Sequence, residues 1–177
     1  MVATDRPSRV EGRTLLREVL DALPDRADDP EQRRRTIDVA RAYFAAIDAK
    51  DVEGMRALLS DDAVVELPFS ESGRVDPGSF RVYRGIEEVM AFWATAFSLE
   101  GDSAGVLDAE VTITADGRVV FIEGFGDVIM TNGRRYRNRY VMRVTVEDDK
   151  VVTTREYYNP IISARAFGRD IGGGEDA

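Results

Sequence analysis

The chain has 177 residues, enough for one domain with a sizeable core, and its 24 Lys and Arg against 33 Asp and Glu leave a formal charge of −9. That acidity, with no basic run, disfavours nucleic acid or an anionic membrane as partner. No apolar run nears the roughly 20 residues of a membrane span, so a soluble cytoplasmic protein is expected. Cys and His are both absent, which removes disulfides, thiolate chemistry, Ser-His-Asp triads and the commonest zinc ligand, and leaves proton chemistry to carboxylates, Tyr, Lys and Arg.

Residues 1–30 read as an N-terminal extension with one helix, over 13–23, whose stripe is Leu15, Leu16, Val19, Leu20 and Leu23. This segment either packs on its own domain or makes an oligomer contact. Pro24 and the polar run after it end the helix. A longer helix is predicted over 31–49, with Ile37, Ala40, Phe44 and Ile47 on one face and Tyr43 beside them. Asp51 is a candidate N-cap for a short helix to residue 59. A strand follows over 63–69, then a Gly-, Pro- and Ser-containing loop over 70–79 that could act as a lid, and a brief strand over 80–83. Gly85 opens a helix striped by Ile86, Val89, Met90, Trp93 and Phe97.

Almost everything beyond reads as strand: 107–114, 119–131 and 136–147, then a last strand after a tight turn at 147–150. Residues 169–177 are Gly-rich, acidic and expected to be a flexible tail. Helices followed by an antiparallel meander indicate an α+β domain over 31–168, with helices on one face of a strongly curved sheet that closes a cone around a pocket.

Alternation on 136–147 puts Tyr136, Asn138, Tyr140, Met142, Val144 and Val146 on one face, an aromatic face with polar groups that suits a pocket lining. Asn132-Gly133 favours a two-residue type I′ turn. With that turn Asp127 faces Asn138, Phe125 faces Tyr140 and Glu123 faces Met142, which brings both carboxylates and Phe125 to the pocket side. Desolvated there, they are acid/base candidates. The alternative is that Asp127 bonds Asn138 at the rim and Glu123 pairs with an Arg. The turn at Asp148-Asp149 leaves parity open. A two-residue loop aims Arg155 and Tyr157 inward, whereas a bulged turn aims Thr154, Glu156 and Tyr158 inward.

The segments YFAAIDAKD, DAVVELPF, YRGIEEVMAFW and GRRYRNRYVMRVTVEDDKVVTTREYYNP resemble the SnoaL-like branch of the NTF2-like superfamily over about residues 33–168. That branch has a cone-shaped α+β fold and includes ketosteroid isomerase and limonene-epoxide hydrolase. IEGFG, Y-x-N-x-Y and REYYNP are most similar to the phenazine biosynthesis A/B proteins. The resemblance implies that Glu156 is the pocket acid and therefore favours the bulged turn. Epoxide hydrolases carry an Asp at the same place, and their Asp on the preceding strand would correspond to Asp127. Phe125 stands where those enzymes have Arg, and Glu66 where they have a water-holding Asn. The base of ketosteroid isomerase would fall at Leu67, and the His of the phenazine proteins has no counterpart.

Trp93 is either core or a stacking surface for a flat substrate. Tyr43 and Tyr140 either donate to an enolate or carbonyl or satisfy buried neighbours. Arg137, Arg139 and Arg143 lie on the outer face, a solvated or dimer-forming surface. No spacing suggests metal, nucleotide or flavin binding.

The expected function is a cofactor-independent isomerase, cyclase or dehydratase acting on a hydrophobic carbonyl-bearing metabolite, as a homodimer. Glu156, Glu123 and Asp127 are its candidate acid/base groups. Asn138, Tyr140, Tyr43, Trp93, Glu66, Phe125, Met142 and Tyr158 are its candidate substrate contacts. Epoxide hydrolysis by Asp127, Glu156 and Glu66, or non-catalytic binding of a metabolite, are the alternatives.

Overall fold

The computed structural model describes residues 27–70, 74 and 76–169. The helix read over 13–23, the tail beyond 169 and part of the 70–79 loop lie outside them. Among the described residues are four α-helices and six strands. Helix α1 (Pro30–Asp48) starts where the Asp29 side chain accepts from the Gln32 amide at 2.9 Å, with Pro30 at the first turn. Its buried stripe is Thr36, Val39, Ala40, Tyr43 and Ala46. Helix α2 (Val52–Leu58) is capped by Asp51, which accepts from the Gly54 amide at 2.9 Å. Helix α3 spans Ile86–Leu99, and α4 spans Pro160–Phe167.

The strands are β1 (Leu59–Leu67), β2 (Arg81–Arg84), β3 (Glu100–Ile113), β4 (Val119–Met130), β5 (Arg135–Glu147) and β6 (Lys150–Tyr158). They form one sheet in the order β2-β1-β6-β5-β4-β3, antiparallel except where β1 meets β6. β3 pairs with β4 through three register shifts, and Gly105 (φ 71°) and Asp108 (φ 48°) bend it, so the sheet curls. Helices α1 and α3 cover the concave face. Their buried residues meet Val65, Leu67, Val120, Ile122, Val144, Val146 and Val151 in the main core. A smaller cluster of Val128, Met130, Tyr136 and Ala166 holds α4 against the far end.

Helix α4 is missing from the sequence-based element list, although its punctuation is present in the chain. Asn159 caps the Ile161 and Ile162 amides at 3.0 and 3.3 Å, Pro160 sits in the first turn, and Gly168 closes the end at φ 71°. β1 and β3 also start earlier than expected, at Leu59 and Glu100.

Two turns decide which side chains face inward. The loop between β4 and β5 holds three residues, Thr131, Asn132 and Gly133, and only Gly133 (φ 80°) is left-handed. Met130 and Arg134 close it, with Met130 N donating to Arg134 O at 2.8 Å. The expected two-residue type I′ turn is therefore wrong by one residue, and every side chain of β4 sits on the opposite face from the one expected. Gly126 faces Asn138, Gly124 faces Tyr140, and Asp127 faces Arg137. The cause is tertiary, because the Asn132 side chain ties the turn to α4 by donating to Ala166 O at 2.9 Å.

The turn between β5 and β6 is a two-residue one, with Asp148 (φ 47°) and Asp149 (φ 59°) both left-handed and Glu147 opposite Lys150. Val151 faces Val146 but Thr153 faces Thr145, so Val152 is an extra residue. That bulge turns Thr154, Glu156 and Tyr158 to the concave side, with Glu156 opposite Met142.

The two turns predict opposite mutational effects. Gly133→Ala puts a Cβ on a left-handed residue with nothing within 4 Å to clash, so its cost is backbone alone, about 1 kcal/mol. Asp149→Gly removes the same kind of strain and should stabilise by roughly 0.5–1 kcal/mol. Thermal unfolding should show melting points moving about 2–4 °C down and 1–4 °C up respectively.

Candidate active site

The concave face, α1, α3 and α4 enclose a cavity of about 490 Å³. Its walls are mainly apolar and aromatic, with Phe44, Phe92 and Trp93 toward the helices and Tyr136, Tyr140 and Phe167 toward β5 and α4. Glu156 opens into it from β6, between Met142 and Tyr158. Its carboxyl accepts no hydrogen bond among the described residues. Burial away from water pushes its pKa from 4.5 up to about 7, Glu100 across the cavity adds to the rise, and the Arg81 guanidinium opposes it.

Tyr140, Arg81, Tyr158 and Glu100 are among the polar groups that line the cavity with Glu156. Tyr140 lines the cavity, and its phenol is pushed well above the ordinary range by burial first, then by Tyr136 and Glu156. It therefore remains a neutral donor at any working pH. Arg81 reaches in from β2 and donates to the Tyr158 hydroxyl at 2.5 Å. Glu100, at the corner of α3 and β3, also lines the cavity, and burial raises its pKa while Lys50 pulls it back. Lys50 Nζ donates to the Glu100, Gly101 and Phe97 carbonyls at 2.5, 3.2 and 3.4 Å and so caps α3 with a cation.

Of the residues expected in the pocket, Glu156, Tyr140, Trp93, Met142 and Tyr158 line the cavity. Tyr43 is 1% exposed and stands edge-on to Trp93, with centroids 6.4 Å apart, so it lies behind the cavity wall. Its hydroxyl and Trp93 Nε1 are buried without a hydrogen-bond partner among the described residues.

The others are corrected. Asp127 lies on the outer face, held at 2.7 Å by both Arg135 and Arg137, and the hydrogen bond from Arg135 leads in keeping its carboxyl well below the usual range. Glu123 is exposed on the same outer face, beside Glu110. Phe125 sits there too, under the Arg137 and Arg139 guanidiniums at 5.7 and 5.8 Å. All three follow the one-residue error at Asn132-Gly133. Glu66 points outward from β1 into an ion pair with Arg155.

Asn138 is on the concave side and buried, yet committed to backbone. It donates to Asn159 O at 2.9 Å and Tyr136 Oη at 3.2 Å, and accepts from the Asn159 and Arg139 amides at 3.0 Å. It fastens β5 to the start of α4 and has no bond left for a substrate. Asp127, Glu156 and Glu66 are thus not gathered into one water-handling set.

Sequence reasoning missed Arg81 and Glu100 as cavity groups. Tyr136 was already on the inner face by alternation. Arg81 and Glu100 sit at element junctions, where alternation carries no signal.

Residues 40–154 match the SnoaL-like domain family, and the chain belongs to that family. Its curled α+β sheet with helices on the concave side is the NTF2-like cone. The uncharacterised Bacillus subtilis (strain 168) protein YesE is 24% identical over 143 residues, 76% of this chain and 88% of YesE. The solved structure of a candidate isomerase from Bacillus subtilis has a TM-score of 0.67 at 22% identity, covering 79% of this chain and 97% of that one. A phenazine biosynthesis-related protein of Pseudomonas aeruginosa has a TM-score of 0.61 at 18% identity, covering 90% and 97%. Such identities carry the fold and no activity.

The carboxyl of Glu156 makes stability depend on pH. Between about pH 4.5 and about 7 the unfolded chain has lost this proton while the folded chain keeps it. The unfolded state binds fewer protons there, so stability falls as pH rises through that window. Glu156→Gln should leave stability at pH 4 nearly unchanged and raise it at pH 8 by about 1–3 kcal/mol. Denaturant melts of both proteins at the two pH values test this.

Proposed function

We propose that the protein is a cofactor-independent acid/base enzyme that isomerises, cyclises or dehydrates a hydrophobic carbonyl-bearing metabolite. The observation that carries this is the carboxyl of Glu156, which opens into a mainly apolar cavity, accepts no hydrogen bond among the described residues and has its pKa pushed up to about 7. A group poised there can take a proton from carbon beside a carbonyl and return it elsewhere. The hydroxyl of Tyr140, kept neutral by burial, would donate to the oxygen on which negative charge builds.

The similar structures, an isomerase candidate and a phenazine biosynthesis-related protein, suit this class of chemistry. With Asp127 and Glu66 on the outer face, epoxide hydrolysis by those groups together has no support in the geometry. The outer face also carries Val141 and Tyr157, both over a third exposed, among its arginines. We read it as the surface for a second copy of the chain.

The test begins with a thermal-shift screen of aromatic and polyketide-like ketones, followed by turnover of each compound that binds. Glu156→Gln should keep binding and lose roughly 10²-fold or more in kcat. Tyr140→Phe should lose about 10-fold to 10³-fold. Acting as a base, Glu156 must be ionised, so kcat/KM should rise with pH to a plateau above about pH 7. Full turnover by Glu156→Gln sinks the assignment, and binding without turnover by the unaltered protein supports a carrier instead.

A further inference from the structure

Gly124 and Gly126 stand on the concave face of β4, opposite Tyr140 and Asn138, where alternation would otherwise project side chains. Neither has the left-handed backbone that calls for glycine. What each supplies is the absence of a Cβ. A Cβ on Gly126 would stand 3.1 Å from Tyr140 Cε2 and 3.4 Å from its hydroxyl oxygen. The Tyr140 ring therefore lies across bare backbone at a position that itself lines the cavity. A Cβ on Gly124 would stand 2.6 Å from Val106 Cγ1 and 3.0 Å from the Leu107 carbonyl oxygen. The two glycines differ in consequence. At Gly124 part of the obstacle is backbone, and β3 would have to move. At Gly126 the obstacle is the end of one side chain, which can give way by a few tenths of an ångström.

We propose that Gly126 is a positioning and specificity-determining residue: by lacking a Cβ it seats Tyr140 against β4, and so sets where the phenol hydroxyl stands and how much room a ring-bearing ligand has beside Glu156. This deepens, and rests on, the reading of Tyr140 as the donor to a substrate oxygen. Tyr140 stands edge-on to Tyr136, with ring centroids 6.4 Å apart, so a ring pushed off β4 also leaves its partner. A small displacement of a donor within an enclosed site is felt strongly by whatever binds there. A glycine that merely allowed two strands to pack closely would not act through Tyr140.

The experiment uses the full chain labelled with ¹³C at tyrosine Cζ, and 2-naphthol as a fused-ring phenol probe read by its own fluorescence. Gly126→Ala should shift the Tyr140 ¹³Cζ resonance, identified by its loss in Tyr140→Phe. It should weaken 2-naphthol binding about tenfold, and by less than about twofold when Tyr140→Leu has already removed the ring. An unmoved resonance, or the same loss of affinity in both backgrounds, overturns the proposal. If Gly126→Ala alone fails to fold, recovery of folding in the double variant with Tyr140→Leu supports the clash, and failure of both variants overturns it. Should the unaltered protein not bind 2-naphthol, the reading of the cavity as the active site is what falls, while the resonance still decides the role of Gly126.

Discussion

Burying one carboxyl without a partner is the constraint from which the site follows. A carboxylate in an apolar cavity loses hydration that no single neighbour replaces, so it retains its proton to a higher pH. Glu100 strengthens that effect from across the cavity and Arg81 limits it. Had Arg81 formed a direct ion pair with Glu156, the group would be ionised and inert, as Asp127 is between Arg135 and Arg137. Arg81 instead donates to Tyr158, one strand position removed on the same face. The acids of this chain thus divide by environment. Asp127, between two arginines on the outer face, is held as a carboxylate, whereas Glu156 and Glu100 at the cavity are raised toward neutrality.

That division depends on strand parity, and parity on single residues. Because a strand presents alternate side chains to opposite faces, the extra residue at Val152 decides whether Glu156 or Arg155 enters the cavity. The third residue of the loop at Thr131–Gly133 likewise keeps Asp127 and Glu123 out and leaves two glycines inside. Both devices sit at strand ends away from the cavity, yet each sets the charge of its wall. Arg155 is then free to pair with Glu66 on the outer face, where both charges keep contact with water.

The fold was legible because its signals are long. Helical stripes such as Ile37, Ala40, Phe44 and Ile47, and the alternation along β5, extend over many residues and survive local error, even though burial centres on the adjacent Val39, Tyr43 and Ala46. On β5 the site was legible without any resemblance, since Tyr140 and Met142 follow from alternation alone, and on α3 the helical stripe carried Trp93. Residues on β4 were misplaced because Asn132-Gly133 has a strong local preference that the bond from Asn132 to Ala166 overrides. Such a bond links positions 34 apart and leaves no mark in a local window. On β6 periodicity was neutral between two outcomes, and only resemblance favoured an inward Glu156. Arg81 and Glu100, at junctions, carried no periodic signal at all.

Asn138 shows why a polar residue on a pocket face need not serve the pocket. All four of its hydrogen-bonding capacities are taken, two of them by the backbone of Asn159, which in turn caps α4. α4 closes the end of the cavity where Tyr136 and Phe167 meet edge to face. The amide thus acts on the site at one remove, by holding the helix that keeps water from the aromatic wall. Keeping water out is what sustains the raised pKa of Glu156. A residue with no contact to the reacting group can therefore govern its protonation, provided it governs the enclosure. That places the chemistry of this cavity partly in the packing of α4, the helix that begins four residues after the carboxyl itself.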